Sequence, residues 1–237
     1  MYSYLRAFFF GLFMCTSAAH ASDLKIESIT TALWFGTNWI GPDFSYPGEK
    51  RGPVMWTSIS AALTNGAYFG AYQRTPNNET DAFAGLVVPI GKMKLDLSVT
   101  YLSLSGATRS LGDAVVVGSK LWKDFEVGAS VISPYARVDY WQLLNGHAAI
   151  GTHVGVWVRH NLSDLLSVDT GARVVYGTGV FGKPGINGVV DAGLVFKLDK
   201  SFEVTLPAIR YAGKRYTNGP DGDSGGLTFF AKAVKTF

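Results

Sequence analysis

What most restricts the fold of this chain is the rhythm of its turn residues. Stretches in which apolar and polar residues alternate follow one another along the chain, and the joints between them are alternately tight and long. Met93, Leu95, Leu97, Val99 and Tyr101 interleave with Lys94, Asp96, Ser98 and Thr100. Val168, Thr170, Ala172, Val174 and Tyr176 interleave with Asp169, Gly171 and Arg173. Val190, Ala192, Leu194, Phe196 and Leu198 do so with Asp191, Gly193 and Lys197. A period of two marks strands with one apolar face. About twelve segments read this way: 25–38, 54–64, 67–75, 81–90, 93–104, 113–122, 125–138, 148–160, 167–178, 188–198, 201–212 and 226–237. The tight joints are Asn65-Gly66, Gly91-Lys92, Lys123-Asp124, Asp199-Lys200 and the slightly longer 161–166. The long ones are 39–53, 76–80, 105–112, 139–147, 179–187 and 213–225.

A soluble Greek-key sandwich mixes its connection lengths. An up-and-down barrel in the outer membrane keeps short turns on the periplasmic side and long loops outside. The segments also match the roughly 9–11 residues a tilted strand needs to cross hydrocarbon. There every backbone N–H and C=O must pair internally, and only a sheet closed on itself has no edge. The expected fold is all-β: a closed antiparallel transmembrane barrel of about twelve strands, with both termini on the short-turn side. Its apolar face meets lipid and its mixed face lines a lumen. The competing fold is a soluble periplasmic β-barrel with its apolar face inward around a ligand cavity.

Composition fits the barrel. Charged residues make up 16% of the chain, against about 25% in ordinary soluble domains. The net charge is only +3, without a Lys/Arg cluster, which excludes nucleic acid as a partner. Residues 1–21 read as a signal peptide: Arg6, the apolar run Ala7 to Met14, and Ala19-His20-Ala21 before the cleavage point. The single cysteine, Cys15, leaves with it, so residues 22–237 form a barrel domain that no disulfide holds. Aromatic residues sit near both ends of the segments. Trp34, Trp39, Trp56, Tyr72, Phe83, Tyr101, Tyr135, Tyr140, Trp141, Tyr176 and Tyr211 lie toward the long loops; Trp122, Phe125, Trp157, Phe202 and Phe237 lie toward the short turns. They are expected to form two interfacial girdles.

The final segment, Phe229 to Phe237, resembles the C-terminal strand of Gram-negative outer-membrane barrel proteins, small porin-like channels among them. Phe229, Ala231, Ala233 and Phe237 match its alternating apolar positions and terminal aromatic residue, whereas Lys235 departs from them. The resemblance implies location in the cell outer membrane and recognition of this strand by the barrel-assembly machinery.

The alternation nominates an inward set: Lys94, Asp96, Lys120, Glu126, His153, Arg159, Asp169, Arg173, Asp191, Lys197, Glu203 and Lys232. Cations and carboxylates nearly balance, which predicts ion pairs across the interior and weak charge selectivity. Glycines on the same face (Gly85, Gly118, Gly128, Gly155, Gly171, Gly193) are expected to widen the lumen. Loop 39–53 is a candidate constriction. Cations at the loop end (Lys50, Arg51, Arg74, Arg109, Arg137, Lys183, Arg210, Lys214, Arg215) are expected to meet outer-membrane lipids and lipopolysaccharide.

Enzyme chemistry finds little support. His160, Asn161, Ser163 and Asp164 suggest a hydrolytic constellation, but read equally as a turn on the periplasmic side. Asp221-Gly222-Asp223-Ser224-Gly225 begins like a calcium loop and lacks the distal Glu. No metal site, cofactor or enzymatic activity is expected. The leading expectation is a porin-like channel for passive diffusion of small-molecule solutes. The alternatives are a non-conducting structural or adhesive barrel and an outer-membrane lipid hydrolase.

Overall fold

The computed structural model describes residues 25–36, 53–75, 79–103, 113–144, 146–178, 185–212 and 226–237. The strands are β1 (Ile26–Gly36), β2 (Val54–Leu63), β3 (Ala67–Thr75), β4 (Glu79–Ile90), β5 (Met93–Leu102), β6 (Ala114–Trp122), β7 (Phe125–Val127), β8 (Ser130–Leu143), β9 (Ala148–Asn161), β10 (Leu166–Gly177), β11 (Gly185–Asp199), β12 (Phe202–Ala212) and β13 (Gly226–Thr236). Hairpin neighbours pair antiparallel around the ring, which β1 and β13 complete: Thr30 faces Thr236 and Trp34 faces Lys232. An antiparallel seam between first and last strands requires an even count. The count is twelve, because β6 and β7 are one strand with a two-residue irregularity.

That irregularity corrects the turn expected at Lys123-Asp124. β6 and β7 pair with β8 in an unbroken register: Ala114 faces Leu143, Trp122 faces Tyr135, Phe125 faces Ile132 and Val127 faces Ser130. The Lys123 amide donates to the Pro134 carbonyl across the gap. The chain reverses instead at Gly128-Ala129, where Gly128 has φ +59°. A tight hairpin needs positive φ, which glycine adopts without steric cost and a Lys-Asp pair does not. Gly128 is therefore a turn residue and lines nothing. The joint expected at 76–80 is also shorter, since β4 already begins at Glu79.

Alternation sorts side chains as a membrane barrel requires. Phe35, Met55, Ile59, Phe69, Val154, Val174, Val190 and Leu198 are exposed on the outer face. Arg74, Asp81, Asp139, His153, Asp169 and Asp191 are buried on the inner face. A soluble barrel carries the reverse arrangement. One contact proves which face is concave. Arg159 on β9 reaches Glu203 on β12 at 3.2 Å, although β10 and β11 lie between them. At about 4.8 Å per strand spacing, side chains span that arc only across the inside. A small apolar cluster of Leu102, Ala114, Val116 and Leu143, with Tyr72 and Trp141 against it, packs on the inner wall toward the loop end.

The aromatic residues divide differently from the expected girdles. Trp34, Trp56, Tyr72, Phe83, Trp122, Tyr135, Trp141 and Trp157 all occupy inward register positions, as do Tyr68 and Phe230. The outward rings are Phe35, Tyr101, Tyr140, Tyr176, Tyr211 and Phe229 near the loop end. Phe125 and Phe237 are exposed near the turn end, and Phe202 shares their outward register. The cause is local: several inward rings lie opposite a glycine on the next strand and fill the space its missing side chain leaves. Gly70 faces Phe83, Gly85 faces Tyr68, Gly155 faces Tyr135 and Gly171 faces Trp157. A Cβ at Gly171 would overlap the Trp157 ring, and one at Gly85 would overlap Tyr68. A Cβ at Gly118 would meet Asp139 Oδ1 at 2.6 Å and one at Gly193 would meet Thr205 at 2.8 Å. These glycines are occupied recesses rather than the widenings expected of them.

Candidate functional site: the charged and aromatic interior

The registers bring the nominated charges onto one wall and mostly against opposite partners. Asp96 faces Lys120, Arg159 faces Asp169, Asp191 faces Arg210 and Lys197 faces Glu203 directly across strands. Directly opposed unlike charges support a strand pair, and like charges oppose it. At the turn end, Arg159 forms a two-pronged contact with Asp169 (2.7 and 2.8 Å) and continues to Glu203. Lys197 Nζ donates to Asn161 Oδ1 at 3.1 Å. Glu126 shares the inward register but lies exposed in β7, beyond the wall. Lys232 holds its ammonium 4.5 Å above the Trp34 ring, which stacks on Phe230.

Midway along the barrel, Asp191 receives two guanidiniums, Arg173 at 2.6 Å and Arg210 at 2.5 Å. Asp139 takes Arg137 at 2.8 Å and lies 3.4 Å from His153 Nε2. Tyr68 donates to Asp96 Oδ1 at 2.6 Å. Toward the loops, Arg74 pairs with Glu79 at 2.8 Å, and the Ser103 amide donates to Asp81. Arg74, Arg137 and Arg210 are thus engaged inside the barrel, not with outer lipid as expected. Their positions were placed at segment ends, where face is hardest to read. Glu79 and Asp139 sit where joints are expected, and Asp81 is the first residue of its expected segment, so none of the three is assigned a face by the alternation.

Between these groups the interior holds a cavity of about 360 Å³. Its lining joins Lys120, Arg137, Arg173 and Arg210 with His153, Trp122, Tyr135 and Trp157, and with Ser133 and Asp124. Lys120 reaches over Trp122 and Tyr135, 5.2 and 5.0 Å from the ring centres. At the turn-side rim, Ser133 donates to Asp124 at 2.7 Å and Lys94 does so at 3.0 Å. The Ser133 hydroxyl first, then the Lys94 ammonium, holds the Asp124 carboxyl below its ordinary range. A depressed folded pKa means that this stabilisation is complete above the unfolded pKa near ~4 and is lost as pH falls through the folded value. Asp124→Asn is therefore expected to lose less melting temperature than the parent between about pH 6 and pH 3. Thermal unfolding in detergent at the two pH values measures this; equal losses would show that the pair contributes nothing.

The suspected hydrolytic constellation is not assembled. Ser163 Oγ accepts the Leu165 and Leu166 amides and organises the turn. The His160 ring bonds Ser130 on the facing strand at 2.7 Å. Phe229, Ala231 and Ala233 fall on the outward register, opposite Ile209, Phe35 and Leu33. Lys235 shares that face, and its ammonium bends to Asp199 and Ser201 at the turn rim, which reconciles a charge with this position. The signal segment, loop 39–53, the acidic Asp221–Gly225 run and Lys50, Arg51, Arg109, Lys183, Lys214 and Arg215 lie outside the described residues, apart from Pro53.

No protein-family model matches the chain. No curated protein matches it in sequence either. Solved structures do match in fold. The NanC porin superposes with a TM-score of 0.58 at 11% identity, over 86% of this chain and 98% of that one. A structure described as a bacterial polysaccharide outer membrane secretin gives 0.57 at 9% identity, over 89% and 97%. The KdgM porin in complex with disordered oligogalacturonate gives 0.53 at 10% identity, over 89% and 99%. The shared fold is the outer-membrane β-barrel. With the apolar exterior, it places this chain in the outer membrane.

Proposed function

We propose that this barrel is a porin-like channel through which small hydrophilic solutes cross the outer membrane passively, and that it is not an enzyme. The observation that carries the reading is the cavity of about 360 Å³ bounded by charged and hydroxyl groups from β6, β8, β9, β10 and β12. Those strands make up much of the ring, so the space belongs to the barrel interior and not to its surface. A barrel needed only as an anchor gains nothing from keeping charge around an unfilled centre, because charged groups are costly to hold away from water. The fold shared with the NanC and KdgM porins supports the same reading. Twelve strands lie between the filled eight-stranded barrels and the open channels of sixteen or more, so the pore is narrow.

One observation favours the alternative of a non-conducting barrel: the Arg159–Glu203 contact spans the interior near the turn end. Planar-bilayer recording separates the two. Purified folded protein is expected to give discrete current steps, smaller than those of sixteen-stranded porins. Folded barrels that insert and pass no current would overturn the channel.

A further inference from the structure

The outer wall is not uniform around the ring. We infer that the outward face of β2, β3 and β4 packs against the same face of a second copy of this chain, giving a two-fold dimer in the membrane. This goes beyond the channel reading and does not depend on it.

Three observations meet on this sector. The first is a gap in the aromatic belt. The outward rings near the loop end run Tyr101, Tyr140, Tyr176, Tyr211, Phe229 and Phe35, on β5, β8, β10, β12, β13 and β1. Tyr101 lies opposite Ala82 of β4, and Phe35 lies opposite Met55 of β2. Between them the belt positions hold Thr80, Gln73, Thr75, Thr57 and Met55, without a ring. Interfacial rings anchor a barrel where it meets headgroups, and here that anchor is missing over three consecutive strands. The second is polarity. Thr57, Gln73 and Thr80 lie directly opposite one another across β2, β3 and β4, and all three are exposed. The Gln73 amide makes no side-chain hydrogen bond among the described residues. The third is shape. Phe69 is 51% exposed and stands between Ala61 and Ala84 of the neighbouring strands. Ala71 follows on β3 and faces Ala82, so a single ring rises from a shelf of alanines.

Acyl chains are as apolar as leucine, so two barrels gain little by hiding apolar surface from lipid. Association in a bilayer rests instead on close approach over small residues and on hydrogen bonds between polar ones. The alanine shelf supplies the first and the Thr57–Gln73–Thr80 row the second. Self-complementarity then selects the occupant. Two copies inserted the same way up are related by a two-fold axis along the membrane normal, the commonest closed symmetry. With that axis on β3, β2 of each copy meets β4 of the other, and the two Gln73 side chains meet at the axis. An amide carries both donors and an acceptor, so two identical amides exchange hydrogen bonds. The flanking alanines leave room for both Phe69 rings. At a spacing of about 4.8 Å and a tilt near 40°, three strands make a wall about 18 Å wide and about 25 Å tall. Two such walls cover roughly 900 Å² if flat, and side-chain relief carries this past the ~1,000 Å² of a specific interface.

The chain has no cysteine after Cys15, so introduced cysteines report contacts singly. In lipid vesicles at low protein density, Ala71→Cys is expected to cross-link to a dimer with a short thiol-reactive reagent. Val154→Cys, five strands round the ring and 65% exposed, is expected to stay monomeric. Sedimentation of the cysteine-free barrel in detergent, over a concentration series, gives the dissociation constant. Gln73→Leu removes the exchanged bonds and should weaken the dimer about tenfold. Ala84→Trp raises the shelf and should weaken it at least as much, whereas Val154→Trp adds bulk on the far side and should change nothing. Heat-modifiable migration on gels confirms that each variant is folded; if Ala84→Trp does not fold, Gln73→Leu decides. A parent that stays monomeric throughout, equal cross-linking at positions 71 and 154, an assembly of odd order, or a dimer indifferent to positions 73 and 84 would each overturn the interface. Current steps from a monomeric barrel would leave the channel reading and sink the dimer; a dimer that passes no current would do the opposite.

Discussion

Asp191→Ala is expected to destabilise the barrel by about 3 kcal/mol, the lower end of the cost of breaking a buried ion pair from one side. Asp191 on β11 is 2% exposed and holds both Arg173 on β10 and Arg210 on β12. Its removal leaves two guanidiniums close together on either side of β11 with their shared countercharge gone. The estimate sits low because both arginines also border the cavity, where water enters to solvate them. Asp191→Asn keeps the shape and one acceptor and should recover part of the loss. Adding Arg210→Ala to Asp191→Ala should recover more, since it removes the repulsion; two residues sharing a partner are not expected to add. Urea unfolding in lipid vesicles, followed by gel migration of the folded band, measures all three. A loss below about 1 kcal/mol would mean that the arginines are fully hydrated and that Asp191 does not organise them. In bilayers the same substitution should shift the reversal potential toward anions, because it deletes an interior carboxylate.

Much of this architecture was legible because a closed sheet has one rule, and the chain obeys it nearly everywhere. Once Asp169, Gly171 and Arg173 are seen to alternate with Val168, Thr170, Ala172 and Val174, their common face follows from pleating alone. The rhythm of the joints then separates a membrane barrel from a soluble one, a distinction that composition does not make. Partner choice was not legible. Nothing local to Arg159 distinguishes Asp169 from Glu203, since the first is a matter of register and the second of curvature across two intervening strands. The Lys123-Asp124 step resembled a turn because it is polar and interrupts two apolar runs. The actual reversal at Gly128 depends on its positive φ, which a glycine inside an alternating stretch does not reveal. The tryptophans misled for a related reason. Proximity to a segment end suggests an interfacial ring, but face is set by parity. Trp157 and Gly171 are a pair only once β9 and β10 are in register. A count of inward glycines opposite inward aromatics carries that signal, and it becomes readable when the hairpin register is known.

Val154→Arg is the sharpest test of which face meets lipid. Val154 stands near the middle of β9 with Ala136 and Val174 beside it on the neighbouring strands, and it is 65% exposed on the outer face. If that face contacts acyl chains at mid-depth, an arginine there costs about 2–4 kcal/mol. If the face were wet, the same change would cost about 0.5 kcal/mol or less. Val174→Arg, one strand away on the same face, should behave alike. Ser58→Lys supplies the contrast. Ser58 lies near the middle of β2, opposite Ala32 and Tyr72 on the inner face, where an added cation faces the barrel interior and not acyl chains. Its expected cost is within about 1 kcal/mol, with its main effect on ion selectivity. The three variants, unfolded by urea from the same lipid vesicles, therefore separate by face and not by the charge introduced. Similar costs at all three positions, or a larger cost at Ser58 than at Val154, would mean that the apolar exterior does not face hydrocarbon, and the membrane orientation would fall with it.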